Sequence, residues 1–153
     1  MPKARRRRVI SADRTEIWAV VSDPYHLARW WPRTRRIEDV QERKRGTGTH
    51  WTNVMQAKSG RDVRAEFRCL YSREGQAYAW EQQLAGTAFD GLLRSSVTTI
   101  DLADAGSGTR VTLQLEQKLR GINRLGGFLT RSAAKRQLDE ALDGLERALG
   151  AGR

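Results

Sequence analysis

The sequence predicts an α+β fold in which an antiparallel sheet packs on a helix near the C-terminus. Three observations carry this prediction. Helix start and stop signals define two short helices between residues 11 and 32. Apolar and polar residues then alternate with period two, as in strands that bury one face, and finally the apolar period changes to three and four, as in an amphipathic helix.

The chain begins with a basic segment that leads into the first strand. The segment MPKARRRR passes directly into Val9, Ile10 and Ser11, with no apolar stretch or small-residue cleavage site of the kind that a secretory signal requires. No run approaches the ~20 apolar residues that span a bilayer. We therefore expect a soluble, cytoplasmic protein.

Two short helices are predicted after this strand, with a break at residues 22–24. Asp13 and Glu16 have the spacing of a capping box at the first helix. Asp23 is a suitable N-cap for the second helix, because Pro24 then occupies a position where a missing N–H costs nothing, and Pro32 ends the element. The predicted buried anchors of the helical pair are Trp18 and Trp30.

About six strands are predicted between Pro32 and residue 119. No proline follows Pro32, and glycine-containing turn signals recur between runs of about ten residues. Residues 63–71 and 109–119 show the clearest alternation. Short turns join such strands to their sequence neighbours, so the sheet is predicted to be an antiparallel meander.

The last element is predicted to be a long helix between Asn123 and Gly150. Its leucines recur at intervals of three and four residues. Gly126 and Gly127 weaken the first turn, which places the effective start near Phe128. Because only this helix has an apolar stripe long enough to cover the sheet, the sheet is expected to wrap around it.

Length and composition indicate one domain spanning residues 1–153, without disulfides. A chain of 153 residues matches one ordinary core. The single cysteine, Cys69, excludes an intrachain disulfide and any multi-cysteine metal site, and its alternating context favours an inert, buried thiol.

The net charge of +10 raises the question of an anionic partner. The basic residues are scattered, with one unbroken run at residues 5–8, which is also typical of a solvated surface. Both interpretations remain open.

Motifs for catalysis or metal binding are weak. His26 and His50 have no metal-ligand spacing to another histidine, cysteine or acid. Neither a nucleophile elbow nor a dinucleotide fingerprint occurs. We expect no metal and no cofactor.

The ordered pieces together resemble the START-like (SRPBCC) helix-grip superfamily, which includes the polyketide cyclase/dehydrase and lipid-transport proteins. The resemblance covers nearly the whole chain and depends on the order and spacing of its pieces: the strand ending at 9–11, the helix start at 12–18, the break at 22–24 with Trp30, Trp31 and Pro32, the hairpin exit at 108–112, and the final helix. It implies a seven-stranded antiparallel sheet around the C-terminal helix, with a largely apolar cavity between them. It implies no particular reaction.

A ligand site, if present, is expected in that cavity. Strand parity predicts these inward residues: Val63, Ala65, Phe67, Tyr78, Trp80, Gln82, Ser96, Thr98, Leu113, Leu115, Phe128, Leu129 and Ser132. A solidly packed core is the alternative. The parity of residues 77–84 is ambiguous, because a slip of one residue would turn Ala77 and Ala79 inward instead. For a cyclase- or dehydratase-like reaction, which the resemblance allows, Tyr78 or His26 is the proton-transfer candidate.

The sequence supports two alternative functions. The first is binding of a hydrophobic, lipid- or polyketide-like small molecule, with or without chemistry. The second is a non-enzymatic contact with an anionic surface, such as a membrane, through a basic stripe of Arg120, Arg124, Arg131 and Lys135. Nucleic acid is the less favoured anion, because no stacking-aromatic motif accompanies the charge.

Overall fold

A seven-stranded antiparallel sheet packs against a long C-terminal helix. The computed structural model describes residues 3–57, 59–87, 93–119 and 131–150. Its elements are β1 (Lys3–Ile10), α1 (Arg14–Val21), a 3₁₀ turn (Pro24–His26), α2 (Leu27–Trp30), β2 (Thr34–Gln41), β3 (His50–Gln56), β4 (Asp62–Arg73), β5 (Ala77–Gln83), β6 (Leu93–Ala105), β7 (Gly108–Leu119) and α3 (Arg131–Leu149).

The strand order is β1-β7-β6-β5-β4-β3-β2, and every pairing is antiparallel. Strands β2 to β7 therefore form the predicted meander. The last strand, β7, also pairs with the first strand, β1. The edge strand β1, together with its neighbour β7, contacts α3, and the other edge strand, β2, contacts α2. The predicted α+β helix-grip architecture is confirmed.

The break between the first helices forms as its capping signals predict. The side chain of Asp13 accepts a hydrogen bond from the backbone N–H of Glu16 at 2.8 Å. Asp23 in turn accepts one from the N–H of Tyr25 at 3.0 Å, and Pro24 begins the 3₁₀ turn. Each cap satisfies a backbone donor that the helix itself leaves free.

Helix α3 buries one stripe, formed by Ala134, Leu138, Ala141, Leu142 and Leu145. Ser132, predicted to face the cavity, is exposed instead. It precedes Ala134 by two residues, roughly 200° around an α-helix, and so lies on the opposite side from the stripe. The predicted helix start, with Phe128 and Leu129, lies outside the described residues.

Gly144 allows α2 and α3 to approach closely. A Cβ atom built on Gly144 would overlap the carbonyl oxygen of Trp30 and would lie 3.0 Å from its carbonyl carbon. These are backbone atoms, which cannot rotate away as a side chain can. Glycine is therefore required where the two helices cross.

Candidate functional site

The inner face of the sheet, which looks toward the helices, carries the candidate site. On β5, Tyr78 and Trp80 belong to the core cluster, whereas Ala77 and Ala79 do not. Cys69 of β4 pairs with Trp80, and Tyr71 pairs with Ala79, so a bulge at Leu70 shifts the register by one residue. The ambiguity in this strand is thus resolved in favour of Tyr78 and Trp80 as inward residues.

Trp80 is the centre of an aromatic cluster. Its ring lies 5.2 Å from that of Trp31 and 6.3 Å from that of Trp30, centroid to centroid. Trp51 and Tyr78 approach it at 6.3 and 6.2 Å. All four contacts are edge-to-face, the geometry that aromatic quadrupoles favour, so the cluster forms a rigid apolar wall between the sheet and α2.

A row of uncharged polar side chains continues this wall across the sheet. Gln82 pairs with Phe67 of β4, and Ser96 of β6 pairs with Gln117 of β7. The Gln117 amide lies 3.4 Å from the Ser96 hydroxyl. Thr98, 4% exposed, lies between Trp80 and Leu115 on neighbouring strands. This part of the inner face therefore offers hydrogen-bonding groups without charge.

Asn53 is an inward polar residue that the sequence reasoning missed. It is buried, and its side-chain oxygen accepts a hydrogen bond from the indole N–H of Trp51 at 2.8 Å. The signal was the alternation in β3, where Trp51, Asn53 and Met55 share one side. Gln117 was missed in the same way, although it continues the alternation of β7.

Within the described ranges, two buried polar atoms on this side of the molecule have no hydrogen-bonding partner. They are the indole nitrogen of Trp30 and the side-chain hydroxyl of Thr34. Thr34 is the first residue of β2 and pairs with Met55 of β3. Trp30 is 2% exposed, and its ring contacts Trp31 and Trp80, so water does not reach the nitrogen. Buried donors without partners are uncommon and call for an explanation.

The other predicted inward residues of the sheet lie where strand parity placed them. Ala65, Leu113 and Leu115 are buried in the core, and Val63 is half-buried beside Met55. Their role in ligand binding stays a prediction. The helical side of the predicted site includes residues outside the described ranges, so the inner face is defined here by the sheet, α1 and α2.

Tyr78 is a neutral donor in this environment. It is 2% exposed, and its ring meets that of Trp18 edge-on at 6.0 Å. Burial, reinforced by the neighbouring Cys69 thiol, raises the pKa of Tyr78 well above 10. Burial likewise raises the pKa of Cys69. Neither group is therefore a ready base or nucleophile near neutral pH.

A rise in pH is expected to destabilise the fold through Tyr78. Its folded-state pKa lies above the ordinary 10.0, so its contribution to stability is complete below that pH and is lost as the pH rises toward the folded-state pKa. Between about pH 10 and 11.5, the free energy of unfolding should fall less steeply for Tyr78→Phe than for the wild type. Urea unfolding at fixed pH steps measures this slope. The exposed-site control, Tyr25→Phe, should keep the wild-type slope; equal slopes for all three proteins would contradict the prediction.

His26 does not share the inner face with Tyr78. Its ring lies 3.6 Å from the carboxylate of Asp23 and 3.0 Å from the guanidinium of Arg29, which also donates to the backbone oxygen of Ala148. These contacts place His26 at the surface, beside the end of α3. The sequence left Tyr78 and His26 as alternative proton-transfer candidates, because it could not place either residue in space.

Trp18 is less buried than predicted, whereas Trp30 is fully buried. Trp18 packs only partly against the core, and it lines a surface cavity of about 490 Å³ with Ser22, Gly46 and Ser72. A smaller cavity of about 150 Å³ beside it reaches Tyr78. The buried end of Tyr78 is thus close to solvent at this rim of the fold.

A cavity of about 640 Å³ is lined by one residue of the predicted site, Phe67, and by its strand partner Trp51. Its lining includes the outward side chains of Thr52, Glu66 and Arg68, on the face of the sheet away from α3. Another, of about 420 Å³, lies between the α2–β2 link and α3. Among the described residues, no group of three or more His, Cys, Asp or Glu side chains is arranged to hold a metal.

The model of one protein family matches residues 1–150, almost the full chain. That family is described as polyketide cyclase / dehydrase and lipid transport. The chain belongs to this family. The predicted superfamily is thereby confirmed, and the family description concerns proteins that handle hydrophobic small molecules.

Solved structures of similar fold support the same architecture. A START superfamily protein from Mycobacterium smegmatis has a TM-score of 0.77 at 13% identity, with 97% of each chain covered. A protein from Thermus thermophilus has a TM-score of 0.75 at 22% identity, with 99% of each chain covered. A Chromobacterium violaceum protein has a TM-score of 0.73 at 21% identity, covering 97% of this chain and 96% of its own.

At these identities, the structural likenesses establish the fold alone. No curated protein matches the chain. Within the described ranges, no helix is both long and apolar enough to cross a membrane.

Proposed function

We propose that this family member binds an uncharged, largely aromatic small molecule between the inner face of the sheet and α3, and that the ligand carries a hydrogen-bond acceptor. The observation that carries the proposal is the buried indole N–H of Trp30, which has no hydrogen-bonding partner among the described residues. Leaving such a donor unsatisfied costs roughly 1–3 kcal/mol. A carbonyl or hydroxyl oxygen of a ligand would remove that cost on binding.

The chemistry of the walls supports an uncharged ligand. The inward side chains of β3, β4 and β5 are apolar, aromatic or neutral polar, as in Met55, Phe67 and Gln82. A carboxylate or ammonium group would lose its hydration there without an opposite charge to replace it. Edge-to-face rings such as Trp30 and Trp80 also suit planar partners.

Binding is better supported than catalysis. General acid–base chemistry near neutral pH needs a group whose pKa lies near the working pH. Tyr78 is held in its neutral form, and His26 lies at the surface. A cyclase- or dehydratase-like reaction in this site would depend on neutral donors that polarise a ligand carbonyl.

The proposal predicts a loss of affinity when only the N–H of Trp30 is removed. Replacing Trp30 with benzothienylalanine, in which sulfur stands for the N–H, keeps the ring shape almost unchanged. The affinity for anthraquinone should fall about tenfold, because that ratio corresponds to the net free energy of one hydrogen bond at the upper end of its usual range. Binding of anthracene, which has no acceptor, should not change. Displacement of the neutral fluorophore Nile red measures both affinities.

Two further variants control this experiment. The same replacement at Trp51 removes an N–H that is already bonded to Asn53, and it should lower the stability of the free protein, whereas the Trp30 replacement should not. Ala65→Phe, which fills the inner face, should abolish the binding of every ligand. If the wild type binds neither Nile red nor anthraquinone, the interior is a packed core and the proposed function is wrong.

A further inference from the structure

Strand alternation divides the arginine run of β1 into two pairs with different surroundings. Arg6 and Arg8 face α3, where Arg6 lies 3.3 Å from Asp139 and Arg8 lies 2.7 Å from Asp143. Arg5 and Arg7 point to the opposite side, the outer face of the sheet. The inner pair thus joins β1 to α3, whereas the outer pair forms no ion pair among the described residues.

The outer pair meets a third arginine on β7. Arg110 lies opposite Val9, and Arg7 lies opposite Thr112, one step along the same ladder. Outward residues that are diagonal neighbours on paired strands lie within reach of each other's long side chains. We call the outward side chains of Arg5, Arg7, Val9 and Arg110 the β1–β7 basic patch.

No carboxylate in the described ranges neutralises the three arginines of this patch. Arg5 donates to the side-chain oxygen of Gln114, which is uncharged, at 2.9 Å. Arg7 and Arg110 have no ion pair among the described residues, and the outward carboxylate on β6, Asp101, lies opposite Thr112 without pairing to either. Grouped like charges destabilise a strand pair unless an anion offsets them.

The opposite half of the same outer face is arranged differently. Glu38 contacts both Arg36 and Arg64, at 2.7 and 3.2 Å, and Arg68 contacts Glu81 at 3.5 Å. The hydrogen bond from Arg36 is the largest of the effects that lower the pKa of Glu38. The positive charge of the outer face therefore collects near β1 and β7.

The basic patch also contains an exposed aliphatic side chain. Val9 is 53% exposed, and it and Tyr25 are the large apolar side chains most open to solvent among the described residues. A valine surrounded by arginines is suited to a membrane surface, where the apolar group enters the interface and the cations meet lipid phosphates. None of the four residues of the patch is aromatic, so the patch has no side chain on which nucleic-acid bases could stack.

We propose that the β1–β7 basic patch docks this protein on an anionic lipid surface. Guanidinium groups bind phosphate oxygens in a two-point geometry, which fits three arginines presented on neighbouring rungs. The proposal rests on the charges of the surface and not on the proposed ligand. It also differs from the stripe that the sequence indicated: Arg131 and Lys135 share a face of α3, whereas Arg120 and Arg124 lie outside the described residues.

Vesicle sedimentation at several salt concentrations tests this proposal. The full-length wild type should bind phosphatidylcholine vesicles containing 30% phosphatidylglycerol and should not bind pure phosphatidylcholine vesicles. The variant Arg5→Gln, Arg7→Gln, Arg110→Gln should lose about 100-fold in partition coefficient, as expected for three basic residues at a charged bilayer. Val9→Ser should weaken binding further at high salt, where electrostatic attraction is screened.

A second triple variant controls for net charge. Lys44→Gln, Arg61→Gln, Arg136→Gln removes the same charge from exposed positions that have no ion pair in the described structure, and it should bind as the wild type does. Equal losses of vesicle binding in both triple variants would overturn the proposal, because they would show that binding depends only on total charge. Absence of vesicle binding, or binding of duplex DNA in preference to anionic vesicles, would also overturn it. Circular dichroism should show that both triple variants retain the fold.

Discussion

Replacing Gly144 with alanine should destabilise the protein by about 3 kcal/mol, the upper end of the usual cost of overpacking. In an isolated helix the same change is stabilising by roughly 1 kcal/mol. Here the new methyl group would overlap the carbonyl oxygen of Trp30, so α2 and α3 would have to separate. A loss of stability, in place of the gain expected in an isolated helix, would therefore show that α2 and α3 approach closely at Gly144.

Urea unfolding, followed by tryptophan fluorescence and circular dichroism, measures this change. Arg136→Ala is the matched control, because it places alanine at an exposed position of the same helix and should change stability by less than about 0.5 kcal/mol. A Gly144→Ala variant as stable as the wild type would show that α2 and α3 do not approach as closely as described.

Replacing Trp80 with alanine should cost about 3–5 kcal/mol, the range for a buried tryptophan or phenylalanine. Trp80 is 3% exposed and contacts the rings of Trp30, Trp31, Trp51 and Tyr78. Its loss would leave a cavity where the sheet meets α2. Fully packed rings around it limit how far the neighbours can collapse into that space.

Trp18→Ala provides the comparison for this prediction. Trp18 is partly exposed and has a ring contact with Tyr78 alone among the described residues, so its loss should cost about 1–2 kcal/mol. Both variants remove one tryptophan, and circular dichroism follows their unfolding independently of that change. If Trp18→Ala costs as much as Trp80→Ala, the aromatic cluster is not centred on Trp80.

The candidate site could be predicted in part from the sequence, because strand parity is a local property. Alternation alone placed Ala65, Phe67, Ser96 and Thr98 on the inner face. It could not choose between the two faces of β5, because Ala77 and Ala79 could equally face inward, and in the structure every residue from Ala77 to Trp80 is buried. The bulge at Leu70 settles this choice, and bulges depend on the pairing of strands that are distant in sequence.

Sequence alone determined the elements of this protein and their order. The caps at Asp13 and Asp23, the alternation of the strands and the leucine period of α3 involve residues a few positions apart, so short-range physics sets them. Only the tertiary structure decided which buried groups lack partners in the described part of the chain, as for Trp30, and which arginines form ion pairs there, as Arg8 does and Arg7 does not. These properties depend on contacts between residues more than 100 positions apart, such as Arg8 with Asp143 and Trp30 with Gly144, and no local pattern encodes such contacts.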